Sequence, residues 1–126
     1  MHSASATTTS GATPPVLTTS AATSVTSSGA TLNGEITSDG GSSVTARGFV
    51  YSTSDNTPTI GEGGVTDQAS GSGTGTFNSS VSSLSPNTTY YYQAYATSAS
   101  GTSYGGVVSF TTPPKLVPDA LVAYAW

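Results

Sequence analysis

The side chains that could carry out catalysis are few, and they are spread along the chain. The single histidine, His2, stands in a Ser/Thr-rich stretch, so we expect no Ser-His-Asp triad and no histidine general base. A glycosidase needs two carboxylates that face each other across a cleft. We expect the acidic residues to lie on turns and outward strand positions instead, and we predict no enzyme, no catalytic residue and no cofactor. These acidic residues are Glu35, Asp39, Asp55, Glu62, Asp67 and Asp119.

Two loop motifs share features with ligand sites, but each lacks part of the pattern. Asp55, Asn56, Glu62 and Asp67 offer the oxygen ligands that calcium prefers, yet their spacing matches no EF-hand loop. The glycine-rich run at residues 71–75 has no lysine after it and no predicted helix to follow, both of which a phosphate cradle requires. We therefore predict no metal site and interpret the glycine-rich run as a plain loop.

Sugars are a further class of partner to weigh. Tyr91 and Tyr95 share one face of a predicted strand, and if exposed they would form a stacking platform for a sugar ring. The alternatives are that they form cross-strand pairs or lie beneath a neighbouring strand. Asn78 and Asn87 each begin an Asn-X-Ser/Thr sequence, the acceptor pattern for N-glycosylation. O-linked sugars on the Thr/Ser-rich ends fit the composition equally well, so glycans stay open as partners or modifications.

Composition excludes several classes of partner. The chain has 126 residues, of which 34% are apolar and 6% charged, and this length suits one domain with one core. Two basic side chains, Arg47 and Lys115, cannot form the positive patch that nucleic acid requires. The absence of cysteine excludes disulfides and thiolate metal sites. The longest purely apolar run, residues 120–126, is too short to cross a membrane, so we predict no membrane insertion.

Alternating apolar and polar residues predict an all-β fold. The clearest strand covers residues 30–37, with Ala30, Leu32, Gly34 and Ile36 inward. Further strands are predicted at residues 16–25, 45–52, 75–84, from residue 90 onward, and at 104–112, and a loop at 53–73 holds a short edge strand near 64–68. The inward residues predicted on these strands are Phe49, Tyr51, Phe77, Val81, Leu84, Tyr90, Tyr92, Ala94, Ala96, Val108 and Phe110.

A turn followed by an aromatic strand organises these elements. Pro86 and Asn87 are turn residues, and the run from Tyr90 to Tyr95 is strongly β-forming. Leu84, Pro86 and Tyr90 have the spacing of a tyrosine corner, in which the tyrosine hydroxyl bonds to the corner backbone. The spacing resembles that of fibronectin type III domains. The phrases Gly-Phe-Val-Tyr-Ser at residues 48–52 and Ser-Phe-Thr-Thr-Pro at residues 109–113 support the same resemblance.

The resemblance covers about residues 15–112 and implies an immunoglobulin-like antiparallel sandwich with N- and C-terminal extensions. Among relatives, the chain is most similar to fibronectin type III-like domains of bacterial cell-surface or secreted proteins, because Gly34 or Ile36 stands where animal members carry a tryptophan. We therefore divide the chain into a Ser/Thr-rich extension (1–13), the sandwich (14–114) and an apolar C-terminal strand (115–126).

The apolar C-terminal strand follows after all the strands of an ordinary sandwich have been used. Its large side chains need a partner surface, since an exposed apolar edge invites aggregation. It could begin a following domain, fold back on its own sandwich, or pair with another copy. We favour pairing, because a head-to-tail contact that does not close produces helical fibres. The predicted inter-subunit residues are Leu116, Val117, Leu121, Val122, Tyr124 and Trp126.

These observations predict a structural subunit of an extracellular or cell-surface filament or array, a helical homopolymer assembled by head-to-tail strand donation. The alternative is a fibronectin type III-like spacer or accessory module of a secreted glycan-degrading enzyme or adhesin. The two hypotheses differ in a measurable way. A spacer stays monomeric, whereas a strand-donating subunit forms polymers until residues 116–126 are deleted.

Overall fold

Alternation of apolar and polar side chains builds eight strands within residues 12–115, the part of the chain that the computed structural model describes. All described elements are strands, and no helix in this range is long and apolar enough to cross a membrane. The strands are β1 (Val16–Thr23), β2 (Ala30–Ser38), β3 (Ala46–Ser52), β4 (Thr66–Ala69), β5 (Gly75–Val81), β6 (Thr89–Ser98), β7 (Gly101–Tyr104) and β8 (Val108–Thr111).

The strands form two antiparallel sheets that pack face to face. One sheet has the order β1-β2-β5, and the other has the order β4-β3-β6 with both β7 and β8 paired to β6. The short β4 lies at the edge of its sheet, close to the predicted position near residues 64–68. The predicted all-β immunoglobulin-like sandwich is confirmed.

The core lies between the sheets and is formed by every second residue of the central strands. Leu32, Phe49 and Tyr92 have no solvent exposure. The Phe49 ring stacks on Phe77, with centroids 4.9 Å apart, and meets Tyr92 edge-on at 6.0 Å. The inward residues predicted on β2, β5 and β6 are all buried, because period-2 alternation fixes the face on which each side chain lies.

The predicted last strand, residues 104–112, corresponds to the end of β7 and the whole of β8, which are separated by residues 105–107. At this break β1 lies close to β6. Thr19 donates its amide to the Gly105 carbonyl (3.3 Å), and its hydroxyl oxygen accepts the Ala94 amide (2.9 Å). A Cβ at Gly105 would lie 2.7 Å from the Thr18 carbonyl carbon, so only glycine permits the approach. The regular pairing with β6 is interrupted here because the Thr19 side chain of β1, and not a backbone carbonyl of the last strand, accepts the Ala94 amide.

The loop between β3 and β4 covers the outer face of its sheet. Gln93 donates from Nε2 to the Pro58 carbonyl (2.6 Å), and the Ile60 amide donates to the Tyr104 hydroxyl (3.1 Å). Val50, which alternation places on this outer face, is therefore fully buried. The sequence did not predict this cover, because it depends on contacts between residues more than thirty positions apart.

The chain enters and leaves the sandwich at opposite ends. β6 begins just after Asn87, whose amide donates to the carbonyl of Pro113 at the exit (3.1 Å). It ends shortly before Gly101, which lies against Pro14 at the entry. β6 therefore runs from the exit to the entry, and the described part of the chain enters and leaves the sandwich at opposite ends.

Candidate functional site

Leu84, Pro86 and Tyr90 form a tightly bonded corner at the exit end. Asn87 adopts a positive φ of 51°, a conformation that Asn tolerates, and this turns the chain into β6. The Tyr90 hydroxyl then accepts a hydrogen bond from the Ser85 amide at 2.7 Å, and Leu84 is buried beside it. The corner backbone is thereby tied to the first aromatic residue of the central strand.

Thr112 ties the end of β8 into the same corner. Its hydroxyl donates to the Ser85 carbonyl (2.6 Å) and accepts the Thr88 amide (3.0 Å), and the side chain is fully buried. Pro113 follows at once and supplies the carbonyl that Asn87 bonds. The exit point of the chain is therefore held rigidly against the corner.

A cleft of about 370 Å³ opens beside the tyrosine corner, and we call it the corner cleft. Its walls come from the end of β3, the start of β4 and the β5–β6 loop. No acidic or basic side chain lines it among the described residues. The lining residues are Tyr51, Ser52, Thr53, Gly64, Thr66, Ser82, Ser83, Leu84, Ser85 and Tyr90.

Tyr51 provides the aromatic wall of the corner cleft. As predicted, it shares the core-facing side of β3 with Phe49 and packs against the core, but it is only half-buried because it also lines the cleft. Its ring meets Tyr90 edge-on, with centroids 6.3 Å apart, and its hydroxyl bonds to the Thr66 side chain. Burial raises the pKa of Tyr51 above its ordinary value.

Arg47 closes the gap between β3 and the glycine-rich loop. It donates from Nε to the Ser70 carbonyl (2.9 Å) and from Nη1 to the carbonyls of Gly73 (3.1 Å) and Thr74 (3.3 Å). Its guanidinium carbon lies 4.9 Å from the centroid of the Phe77 ring, a cation–π geometry. This half-buried arginine is thus engaged by the backbone of its own chain.

The carboxylates of the β3–β4 region are each used locally. Asp55 accepts the Thr57 amide (2.8 Å) and the Thr57 hydroxyl (3.2 Å), and the bond from the amide holds the pKa of Asp55 below its ordinary value. Glu62 accepts the Thr59 amide (2.7 Å). Within residues 12–115, no three His, Cys, Asp or Glu side chains come together as a metal site. The arrangement gives no support to the calcium alternative.

The interpretation of Tyr91 and Tyr95 as an exposed platform is wrong for Tyr95. Tyr95 is 4% exposed and donates its hydroxyl to Oδ1 of Asp67 at 2.7 Å. It lies beside Tyr104 in the strand register and crosses above Gly48, where a Cβ would meet its hydroxyl at 3.0 Å. Burial, reinforced by Asp67, raises the pKa of Tyr95 well above its ordinary value. Tyr91 is half-buried, so the pair offers no flat exposed surface.

The remaining residues named in the sequence analysis either do not line the corner cleft or lie outside the described residues. Asn78 lies exposed on β5, and Asn87 lies exposed at the corner, so both side chains reach the surface. His2 lies outside the described residues. So do all the predicted inter-subunit residues, namely Leu116, Val117, Leu121, Val122, Tyr124 and Trp126.

Two features were not predicted from the sequence. They are the corner cleft and the set of hydrogen bonds from Arg47 to Ser70, Gly73 and Thr74, which we call the Arg47 clasp. A weak signal for the clasp existed, since Arg47 is one of only two basic residues and stands on a strand where a solvated charge is unexpected. Its acceptors lie 23 to 27 positions away, beyond the range of any local pattern. No sequence pattern indicated the cleft, because its walls come from three elements that are separated in the sequence.

No protein-family model and no curated protein matches the sequence. The fold is nevertheless similar to solved structures. The sensor domain of the anti-sigma factor RsgI4 in Pseudobacteroides cellulosolvens is 17% identical, with a TM-score of 0.62, covering 82% of this chain and 98% of that one. The sixth fibronectin type III domain from human fibronectin type III domain containing protein 3 is 27% identical, with a TM-score of 0.55, covering 85% of this chain and 88% of that one.

A structure of domains A168–A170 from titin is also similar, with 20% identity and a TM-score of 0.52. The match covers 81% of this chain and 32% of that one, about the share of one domain in a row of three. The fold predicted from the tyrosine corner and the two accompanying phrases is confirmed by these similarities.

Proposed function

We propose that this fibronectin type III-like domain is a non-catalytic structural subunit of an extracellular filament or surface array, joined head to tail by strand donation between copies. The observation that carries the proposal is the position of entry and exit at opposite ends of the sandwich. A segment that leaves from one end and binds the next copy extends a row. Such a head-to-tail contact leads to an open chain of copies and not to a closed dimer.

The exit geometry favours this arrangement. Thr112 and Pro113 are hydrogen-bonded to the corner, so the direction in which the chain leaves is fixed by the sandwich. Pro113 and Pro114 are exposed, and proline cannot donate a backbone hydrogen bond to a further strand. The chain is thus released from its own sheet immediately before the apolar segment begins.

The chemistry of residues 116–126 supplies the driving force. Burial of each large side chain contributes about 1.5–3 kcal/mol, and the segment holds Leu121, Val122, Tyr124 and Trp126 within six positions. The acceptor is an edge of a sister sandwich. Both sheets of the described sandwich are open, so their outermost strands have backbone groups that an added strand can pair with.

Electron microscopy of the full chain and of a chain truncated after Lys115 tests the proposal. We expect fibres from the full chain and none from the truncated one. A third chain with residues 116–126 in scrambled order keeps the apolar content and changes only the pattern, so it should also fail to form ordered fibres. Fibres from the truncated chain, or from all three, would contradict strand donation.

The alternative function is a spacer or accessory module in a secreted glycan-degrading enzyme or adhesin. The same opposite positions of entry and exit suit a domain within a row, and the similarity to one domain of the titin array favours this alternative. In that case residues 116–126 belong to a following domain. A longer chain that includes the next domain would then be monomeric at every concentration, and the apolar segment would be protected from proteolysis within it.

A further inference from the structure

We propose that the corner cleft binds a short neutral saccharide. This site differs from the Tyr91 and Tyr95 platform, and it does not depend on filament assembly. The cleft combines three properties that such a ligand requires: hydroxyl groups without charges, an aromatic wall, and walls that are already fixed.

The absence of charge in the described lining selects the class of ligand. Thr53, Ser82, Ser83 and Ser85 provide hydroxyl groups, each of which can both donate and accept a hydrogen bond. Ser52 is bonded to Ser54 and to the Asp55 amide, so it contributes to the wall without offering a hydroxyl to a ligand. Phosphates, carboxylates and cations would lose their hydration without finding an opposite charge in such a cleft. A sugar carries hydroxyls of the same dual character, so it can exchange its water for the side chains at little cost.

The aromatic wall gives the cleft a surface for the apolar face of a sugar ring. Tyr51 is half-buried, and its position is set by Tyr90 on one side and by Thr66 at its hydroxyl. A ring held in one orientation loses little conformational entropy when a ligand packs on it. Tyr51 therefore acts as the anchor of the proposed site.

The remaining walls are pre-organised by the corner. Leu84 donates its amide to the Ser28 carbonyl (2.9 Å), while Ser85 is held on both sides by Tyr90 and Thr112. Ser83, which precedes them in the chain and also lines the cleft, has a positive φ of 60°, which serine adopts only at a cost. Strained residues of this kind cluster at ligand sites, where the surrounding structure holds them in place.

The size of the cleft sets the length of the ligand. A volume of about 370 Å³ lies at the lower end of the range for small-molecule sites, which is roughly 300–1,000 Å³. A short oligosaccharide would place one part in the cleft and leave the rest in solvent at the open rim.

Isothermal titration calorimetry of the full chain tests the proposal, with cellotriose, maltotriose, xylotriose and N,N′,N″-triacetylchitotriose as probes. We expect saturable heat from at least one probe. Tyr51→Ala should weaken that binding about tenfold or more, because truncation of a central aromatic anchor costs the most affinity. The matched control is Tyr91→Ala, a half-buried tyrosine outside the cleft, which should bind as the native chain does.

A second variant keeps the test valid if Tyr51→Ala fails to fold. Ser82 is exposed at the rim, so Ser82→Trp fills the cleft from outside without entering the core, and it should abolish binding. No heat from any of the four probes would overturn the proposal, as would binding that Ser82→Trp leaves unchanged. A peptide of residues 116–126 whose binding Ser82→Trp abolishes would also overturn it, and would identify the cleft as a peptide site.

Discussion

At the scale of single residues, hydrogen bonds that involve tyrosine hydroxyls connect separate elements of the sandwich, as ion pairs do in more charged proteins. With 6% charged residues, the chain has few means of tying one strand to another through side-chain ions. Each of four phenols instead bonds to a group on another element or on the adjoining loop. The pairs are Tyr90 with the Ser85 amide, Tyr92 with the Ser20 carbonyl, Tyr95 with Asp67, and Tyr104 with the Ile60 amide.

Tyr90→Phe tests the corner. The change removes the acceptor of the Ser85 amide and leaves the ring in place, so we expect the free energy of unfolding to fall by about 1–2 kcal/mol. Chemical denaturation measures the loss. Tyr91→Phe is the matched control on the opposite face of the same strand and should change stability by less than about 0.5 kcal/mol. Equal effects of the two substitutions would show that the corner hydrogen bond contributes nothing.

The buried phenols also predict how stability depends on pH. Burial raises the pKa of Tyr92 to about 12, from an ordinary value near 10. Between these values the unfolded chain releases a proton that the folded chain keeps, so unfolding is favoured as the pH rises. We expect the contribution of Tyr92 to stability to be constant below about pH 10 and then to fall by up to about 1.4 kcal/mol per pH unit until the pH reaches about 12.

Denaturation at a series of alkaline pH values measures this slope. Tyr92→Phe removes one titrating group, so its stability should decline less steeply than that of the native chain, even if it begins lower. An identical slope in the two proteins would mean that Tyr92 ionises as easily in the folded chain as in the unfolded one.

At the scale of elements, two tertiary contacts can be tested: the packing of β1 against the break between β7 and β8, and the hydrogen bonds from Arg47 to the glycine-rich loop. The first is between β1 and the break that separates β7 from β8. Gly105→Ala would place a Cβ 2.7 Å from the backbone of Thr18 and Thr19, so we expect a loss of about 2–4 kcal/mol. Gly63→Ala is the matched control, because a Cβ there meets nothing within 4 Å. Equal thermal stability of the two variants would contradict the close packing of β1 against the break.

The second is the Arg47 clasp. Lysine keeps the positive charge but cannot reproduce the two-pronged geometry that reaches Ser70 and Gly73 together, so we expect Arg47→Lys to destabilise the chain by about 1–2 kcal/mol. Hydrogen exchange gives a local measure. The Gly73 amide, which bonds to the Val44 carbonyl, should exchange faster in the variant, while the β2 amides keep their protection. Unchanged exchange at Gly73 would show that the loop holds its position without the arginine.

The elements also show what the sequence can and cannot predict. Alternation on β2 places Leu32 and Ile36 in the core, because a strand has only two faces and one of them is apolar. Alternation also places Val50 and Tyr95 correctly on the outer face, but it does not predict their burial. Val50 lies under the β3–β4 loop, whereas Tyr95 bonds to Asp67 on β4 and pairs with Tyr104 on β7. Alternation also failed at Gly105, where the strand ends because another strand approaches. These differences are all tertiary contacts that no local pattern encodes.

At the scale of the whole molecule, the entry and the exit of the described chain lie at opposite ends of the sandwich. The corner, the exit of the chain and the corner cleft share one end, whereas the entry at Pro14 lies at the other. Under the proposed function, the exit end of one copy faces the next copy. The corner cleft lies at this same end, so saccharide binding there and the junction between copies would be near each other in a fibre.

Under the proposed function, residues 116–126 join one copy to the next. Sedimentation velocity of the full chain over a wide range of concentration tests it most directly, with a chain truncated after Lys115 run in parallel. With strand donation, the weight-average sedimentation coefficient of the full chain should rise steadily with concentration, while the truncated chain sediments as a monomer throughout. A single monomeric boundary for the full chain at every concentration would contradict it.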